Sequence, residues 1–136
     1  MIESIKKHSE NLKSISELEG DSGQFEYLID IGKNSDSFDD TKKVESNKMN
    51  GCLAQVWISK EKIKDKFYFK GDSDALIVKG LVKIITEALS GYNTSEIKEL
   101  KHNIVNELGL GPGLSARRQV GMMAMVDHIK IITNAK

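Results

Sequence analysis

The chain has 136 residues, enough for one domain with one hydrophobic core and too few for two. Its 20 basic and 20 acidic side chains cancel, which leaves no whole-molecule field to attract nucleic acid or an acidic membrane surface. A single cysteine excludes an intramolecular disulfide framework and fits a reducing, cytoplasmic setting.

The first seven residues carry charge early and have no continuous apolar run, so no secretory signal is expected. Residues 2–18 predict a first helix with Ile5, Leu12, Ile15 and Leu18 as a thin apolar stripe. Gly20 and Gly23 break it, and Asp21 or Ser22 can cap the next helix. That second helix, over 23–33, places Phe25, Leu28, Ile29 and Gly32 on one face. Residues 34–50 are polar and predict a loop.

The run 53–58 has strand character, because Val56, Trp57 and Ile58 favour a pleated surface, with Trp57 expected in the core. The charged stretch 60–66 reads as a connection, and 67–70 as a second strand stopped by Gly71. A third strand is expected at 43–45. Asp72, Ser73 and Asp74 supply cap and first-turn acids for a helix over 74–89 that is apolar around much of its circumference. That stretch is too short, and too interrupted by Lys79, Lys83 and Glu87, to span a bilayer. Gly91 ends it. Thr94 or Ser95 opens a helix over 95–107, then Gly109, Gly111, Pro112 and Gly113 make a bend. Ser115 caps a last helix over 116–133 with Met122, Met125, Val126, Ile129 and Ile132 as its stripe. This order predicts a single α+β domain, residues 1–136, with a small antiparallel sheet of about three strands packed against several helices.

Cys52 stands where the polar loop becomes a strand. From the residues alone it is either a buried apolar filler or a nucleophile, since free cysteines are usually buried and thiolates are reactive. Gly51 removes a side chain beside the thiol and allows backbone angles that other residues resist. His8, His102 and His128 show no ligand spacing and read as surface residues, so no zinc site is expected. Met122, Met123 and Met125 read as helix packing or an adaptable contact surface rather than a metal site. The 109–113 segment lacks the Lys-Ser/Thr pair of a phosphate loop. Lys79 reads as a solvated or snorkelling side chain. Besides capping, Asp72, Ser73 and Asp74 have a part in holding the cysteine loop or meeting a partner as the alternative reading.

Four blocks resemble the SufE-type sulfur-acceptor family of iron–sulfur cluster assembly. Gly51-Cys52-Leu53-Ala54-Gln55-Val56-Trp57 is similar to its Gly-Cys-x-x-x-Val-Trp signature, with Asn47 where the family has an Asn. The stretch from Gly71 to Gly80 (Gly-Asp-Ser-Asp-Ala-Leu-Ile-Val-Lys-Gly) resembles its Gly-x-Ser-Asp-Ala-x-Ile-Val-x-Gly block. Leu114-Ser115-Ala116-Arg117-Arg118, followed by Gly121 and Met125, resembles its C-terminal element, and 27–32 resembles its Tyr-Leu-Ile-Glu-Leu-Gly helix. Ala54 stands where the family commonly has Ser, and Ala116 where it has Pro.

The resemblance implies that Cys52 accepts persulfide sulfur from a SufS-type cysteine desulfurase, stimulates that enzyme, and passes sulfur to an iron–sulfur scaffold complex. It implies no independent catalytic turnover and no resident cofactor, the pyridoxal phosphate residing on the desulfurase. Gly51, Gln55, Asp74 and Arg118 are the expected supporting or partner-contacting residues. Neither nucleic acid nor membrane is an expected partner. A regulatory binding module that carries no sulfur is the alternative. An iron–sulfur scaffold is a weaker one, because one cysteine does not ligate a cluster.

Overall fold

The computed structural model describes residues 10–11, 25–35, 38–49, 54–101, 103–107 and 116–135. Residues 10 and 11 are helical; the rest of the expected first helix, the 109–113 bend, His8 and His102 lie outside the described residues. A helix (α1) runs through 25–33, followed by a short 3-10 turn, Asp40–Lys42. Then come β1 (Val56–Ile63), β2 (Lys66–Ser73), α2 (Leu76–Leu89), α3 (Thr94–Lys98), α4 (Ile104–Glu107) and α5 (Ala116–Ile132). The class is α+β as expected, but the described sheet has two strands rather than three.

The hairpin is longer than its apolar run. β1 continues through the charged Lys60, Glu61 and Lys62 to Ile63, and a two-residue turn at Lys64 and Asp65 reverses the chain, with Lys64 at φ 60°. A short turn with positive φ matches the twist of the strands it joins. The register runs from Val56 opposite Ser73 to Ile63 opposite Lys66. Gly71 does not stop β2. A Cβ there would stand 2.9 Å from the Trp57 carbonyl oxygen and closer still to Val82 Cγ1, so glycine marks close packing of α2 on the strand. The expected strand at 43–45 is a turn instead, in which Asn47 and Lys48 donate their N–H groups to the Val44 carbonyl at 3.0 and 3.1 Å. Strand-like pairing occurs three residues later, as an isolated antiparallel bridge between Lys48 and Trp57.

Opposed residues of an antiparallel pair share a face. Val56, Ile58, Phe67, Phe69 and Gly71 form the inner one, and Val56 and Ile58 are fully buried. Against it lies α2, whose Leu81, Val82, Ile84, Ile85, Ala88 and Leu89 are buried almost without remainder. Met122, Met125, Val126 and Ile129 of α5 complete the core, so the expected stripe of the last helix is the one observed, and two of its methionines are packing residues. Ile132 is only partly buried against them. Trp57, expected in the core, is half-buried on the outer face.

Three helix boundaries differ from expectation for local reasons. α2 begins at Leu76 behind an Ala75 that makes no side-chain cap, because the acids at 72 and 74 are engaged elsewhere. It ends at Ser90, and Gly91 comes next at φ +93°, a conformation that favours glycine. The helix expected over 95–107 is two pieces, α3 and α4. Asn93, not Thr94 or Ser95, starts the first through a capping box with Glu96. Between them, Lys130 of α5 donates its ammonium to the Lys98 and Leu100 carbonyls, satisfying the end of α3 from outside.

Candidate functional site

Asn50, Gly51, Cys52 and Leu53 lie outside the described residues, so the site is defined by the chain on either side of them. The approach is a strap, 38–49, held by local bonds. Asp39 caps the 3-10 turn, accepting the Thr41 N–H at 3.0 Å and the Thr41 hydroxyl at 2.8 Å. The Asn47 side-chain amide donates to the Lys42 carbonyl at 2.8 Å, which closes the turn that precedes the cysteine. The strap then joins the hairpin. Ile58 N–H donates to the Asn47 carbonyl at 2.8 Å, and Met49 N–H donates to the Val56 carbonyl at 3.0 Å. Met49, the last described residue before the cysteine, is buried. The two bonds make a stem: chain leaves at Met49 and returns at Ala54, and Val56 closes the pair.

The return limb is tied to the start of α2. Asp74 Oδ1 accepts the Gln55 N–H at 2.9 Å, and Asp74 N–H donates to the Gln55 carbonyl at 3.3 Å. The structure therefore brings Gln55 and Asp74 together, and it does so through the Gln55 backbone; that residue is exposed. Asp74 works as a peptide-mimicking bracket between strand and helix rather than as a cap. Ser73 is the nearest approach to a cap, with its hydroxyl oxygen accepting the Ala75 N–H at 3.3 Å. Arg118 falls in the first turn of α5, and its side chain lies outside the described residues.

His128 departs from expectation. Rather than standing on the surface it is half-buried on α5 beside the Asn47 carbonyl, and its buried Nε2 has no hydrogen-bond partner among the described residues. Burial pushes its pKa below the ordinary 6.5, and the Asn47 carbonyl, which favours the protonated ring, offsets only part of that. A period-based reading misses it because residue 128 lies at the edge of the apolar stripe formed by Met125 and Ile129. Among the described residues no three His, Cys, Asp or Glu side chains converge in a way that could hold a metal ion. No helix among them is long and apolar enough to cross a membrane.

Comparison with known proteins gives this stem a context. Residues 9–133 match the SufE family model, described as an Fe-S metabolism associated domain. An uncharacterized SufE-like protein of Rhizobium meliloti is 35% identical over 112 residues, covering 79% of this chain and 80% of that one. The sulfur acceptor protein CsdE of Escherichia coli is 31% identical over 108 residues, 78% of this chain and 74% of its own. The cysteine desulfuration protein SufE of Plasmodium falciparum is 32% identical over 109 residues, 76% of this chain and 44% of its own.

Proposed function

This chain belongs to the SufE family, and we propose from that membership that it is a sulfur acceptor in iron–sulfur metabolism, with Cys52 as the accepting residue. The observation that carries the reading is that the family match spans 9–133 and contains the chain's one cysteine, with the described residues on both sides of it bonded to the hairpin and to the start of α2. A sulfur acceptor needs one thiolate, presented by a rigid base to another protein's persulfide.

The transfer is a thiol–disulfide type exchange. The Cys52 thiolate attacks the terminal sulfur of a cysteine persulfide on the donor, the donor's S–S bond breaks, and its own cysteine leaves as thiolate with the bonding pair. Cys52 is then a persulfide, and no net oxidation has occurred. The donor is a cysteine desulfurase, which carries the pyridoxal phosphate; this chain uses no cofactor of its own. Removing sulfur frees the desulfurase for another turnover, so the acceptor stimulates it, and the recipient is an iron–sulfur scaffold. The protein acts in the cytoplasm. An alternative is a module that stimulates the desulfurase by binding alone. A scaffold role is disfavoured, because cluster ligation takes several thiolates and the chain has one cysteine.

Incubation with a cysteine desulfurase and L-cysteine, followed by mass spectrometry of the intact chain, tests the reading. We expect an increment of one sulfur that reductant removes and that Cys52→Ser abolishes. A Cys52→Ser chain that still stimulates the desulfurase fully establishes the binding module instead.

A further inference from the structure

Positive charge is gathered on the hairpin. Residues 60–70 hold five lysines against two acids, in a chain whose 20 basic and 20 acidic side chains cancel. Two of the five are engaged: Lys60 donates its ammonium to the Ile132 carbonyl, and Lys62 lies 5.4 Å from the centroid of the Phe67 ring. The other three, Lys64, Lys66 and Lys70, are exposed and make no ion pair among the described residues. Lysines on a bare edge keep a strand from pairing with other chains. That accounts for Lys60 and Lys62, which lie beyond the strap's bridge to β1 at Trp57. It does not account for Lys66 and Lys70, which stand on the outer face of β2 opposite Ile63 and Ser59, while the far edge of β2 is bridged at Phe67 by Tyr92. The same outer face exposes Ile63 and Tyr68, at 51% and 40%. Between Tyr68 and Lys70 of the hairpin and Phe38 and Lys42 of the strap runs a groove of about 550 Å³. Its acids are Glu61 and Asp39, and Asp39 is already committed to Thr41.

We propose that the outer face of the hairpin, with this groove, is a docking surface for an acidic segment of the cysteine desulfurase. Carboxylates of that segment meet Lys64, Lys66 and Lys70, and an apolar side chain enters between Tyr68 and Phe38. The choice of the desulfurase rests on the sulfur-acceptor reading, which makes it the protein this chain must bind. Its reach fits the dimensions. From the Met49–Val56 pair to Ile63 is seven residue steps, roughly 24 Å at about 3.4 Å each. An interface of ordinary size buries about 800 Å² on each partner, a patch roughly 30 Å across. A desulfurase seated at the strap end of the hairpin therefore extends to the turn at Lys64. Exposed rim charges of this kind act mainly on the association rate and its salt dependence.

The test measures association and dissociation of full chains with the desulfurase by surface plasmon resonance, without L-cysteine, so that no sulfur moves. One variant combines Lys64→Glu, Lys66→Glu and Lys70→Glu; a control makes the same change of net charge on other elements, through Lys33→Glu, Lys98→Glu and Lys101→Glu. We expect the hairpin variant to associate about tenfold more slowly at low salt, the control to stay within about twofold of the wild type, and the difference to vanish at roughly 1 M salt, where the screening length is about 3 Å. Glutamine at the same three positions keeps the chain free of new acids and should give an intermediate rate, which guards against a folding defect in the Glu variant. Tyr68→Ser should dissociate about fivefold faster with its association rate unchanged. A hairpin variant as fast as the wild type, a control slowed equally, or a difference that persists at high salt overturns the proposal; an unchanged Tyr68→Ser overturns the groove's part in it. A wild type that binds as expected yet takes no sulfur once L-cysteine is added refutes the acceptor reading and leaves the docking face standing.

Discussion

Gly80→Ala tests how α1 and α2 are packed. The two helices cross where glycine faces backbone on both sides: a Cβ at residue 80 would stand 2.9 Å from the Leu28 carbonyl carbon and 3.1 Å from its Cα, and closer still to the carbonyl oxygen. Carbon atoms prefer separations of about 3.5–4.0 Å, so α1 must retreat by roughly 0.6–1 Å along the contact. Every opposing atom is backbone, and no rotamer change relieves the clash. Overpacking costs about 1–3 kcal/mol, and a backbone clash belongs at the top of that range. Alanine's better helix propensity returns about 1 kcal/mol. The balance is a loss of about 2 kcal/mol, which for a chain of this size lowers the melting temperature by about 8 °C. Thermal unfolding followed by circular dichroism reads this directly. Gly32→Ala meets the same crossing from the other helix, 3.3 Å from Gly80 N and 3.4 Å from the Leu76 carbonyl carbon. Once one substitution has pushed α1 away, the second costs less, so the double variant should lose less than the sum. A Gly80→Ala chain that melts at or above the wild-type temperature refutes the packing argument.

His128 gives stability a pH dependence with a definite sign. Its folded-state pKa is depressed below 6.5, so the native chain binds fewer protons than the unfolded one across that interval. The contribution is fully present above 6.5 and is lost as pH falls through the folded value. Urea midpoints should therefore drop on acidification below 6.5, and His128→Leu should flatten that part of the profile; an unchanged slope in the variant assigns it to other groups. Asp74→Ala removes the acceptor of the Gln55 N–H. Because Gln55 is exposed and water replaces the carboxylate, the cost is about 1 kcal/mol, and hydrogen exchange at the Gln55 amide should accelerate; protection equal to the wild type counts against the bracket. Asn93→Ala removes the side-chain oxygen that accepts the Glu96 N–H in the capping box that starts α3, leaves the Asn93 backbone N–H on Glu96 Oε1, and should cost about 0.5–2 kcal/mol by urea unfolding, with Asn93→Ser retaining most of it. Equal losses for Ala and Ser would show that the side-chain oxygen is not what holds the helix start.

How far the fold is legible in the residues depends on whether an element is shaped by its own pattern or by what packs on it. α2 and α5 carry enough apolar positions at helical spacing to be read directly, and from Leu81 to Leu89 and from Met122 to Ile129 the expected apolar positions are buried, while Leu76 at the start of α2 is exposed and Ile132 near the end of α5 is only partly buried. β1 is under-read because its distal half, Lys60–Ile63, is exposed and mostly charged; pairing with β2, not burial, makes it a strand. The break between α3 and α4 is invisible for the same reason, since the carbonyls at the end of α3 are satisfied by a lysine some thirty residues away.

The stem around Cys52 is legible only in part, and the acids at 72–74 show why. Read locally, Asp-Ser-Asp before an apolar run is a helix start, and a helix does start at Leu76. A cap requires that the carboxylate be free to turn onto its own N–H groups. Asp72 is instead claimed by Lys43 and Lys79, and Asp74 by the Gln55 backbone, so the helix begins behind an uncapped alanine. The first-turn stability forgone there is exchanged for two cross-links that join the strap, the hairpin and the helix. Spacing within a segment cannot reveal that exchange, because the competing donors come from residues 43 and 55, which only the folded chain brings to the carboxylates. A short acidic run that precedes a helix without capping it is thus a physical marker of a site whose geometry is set by tertiary partners.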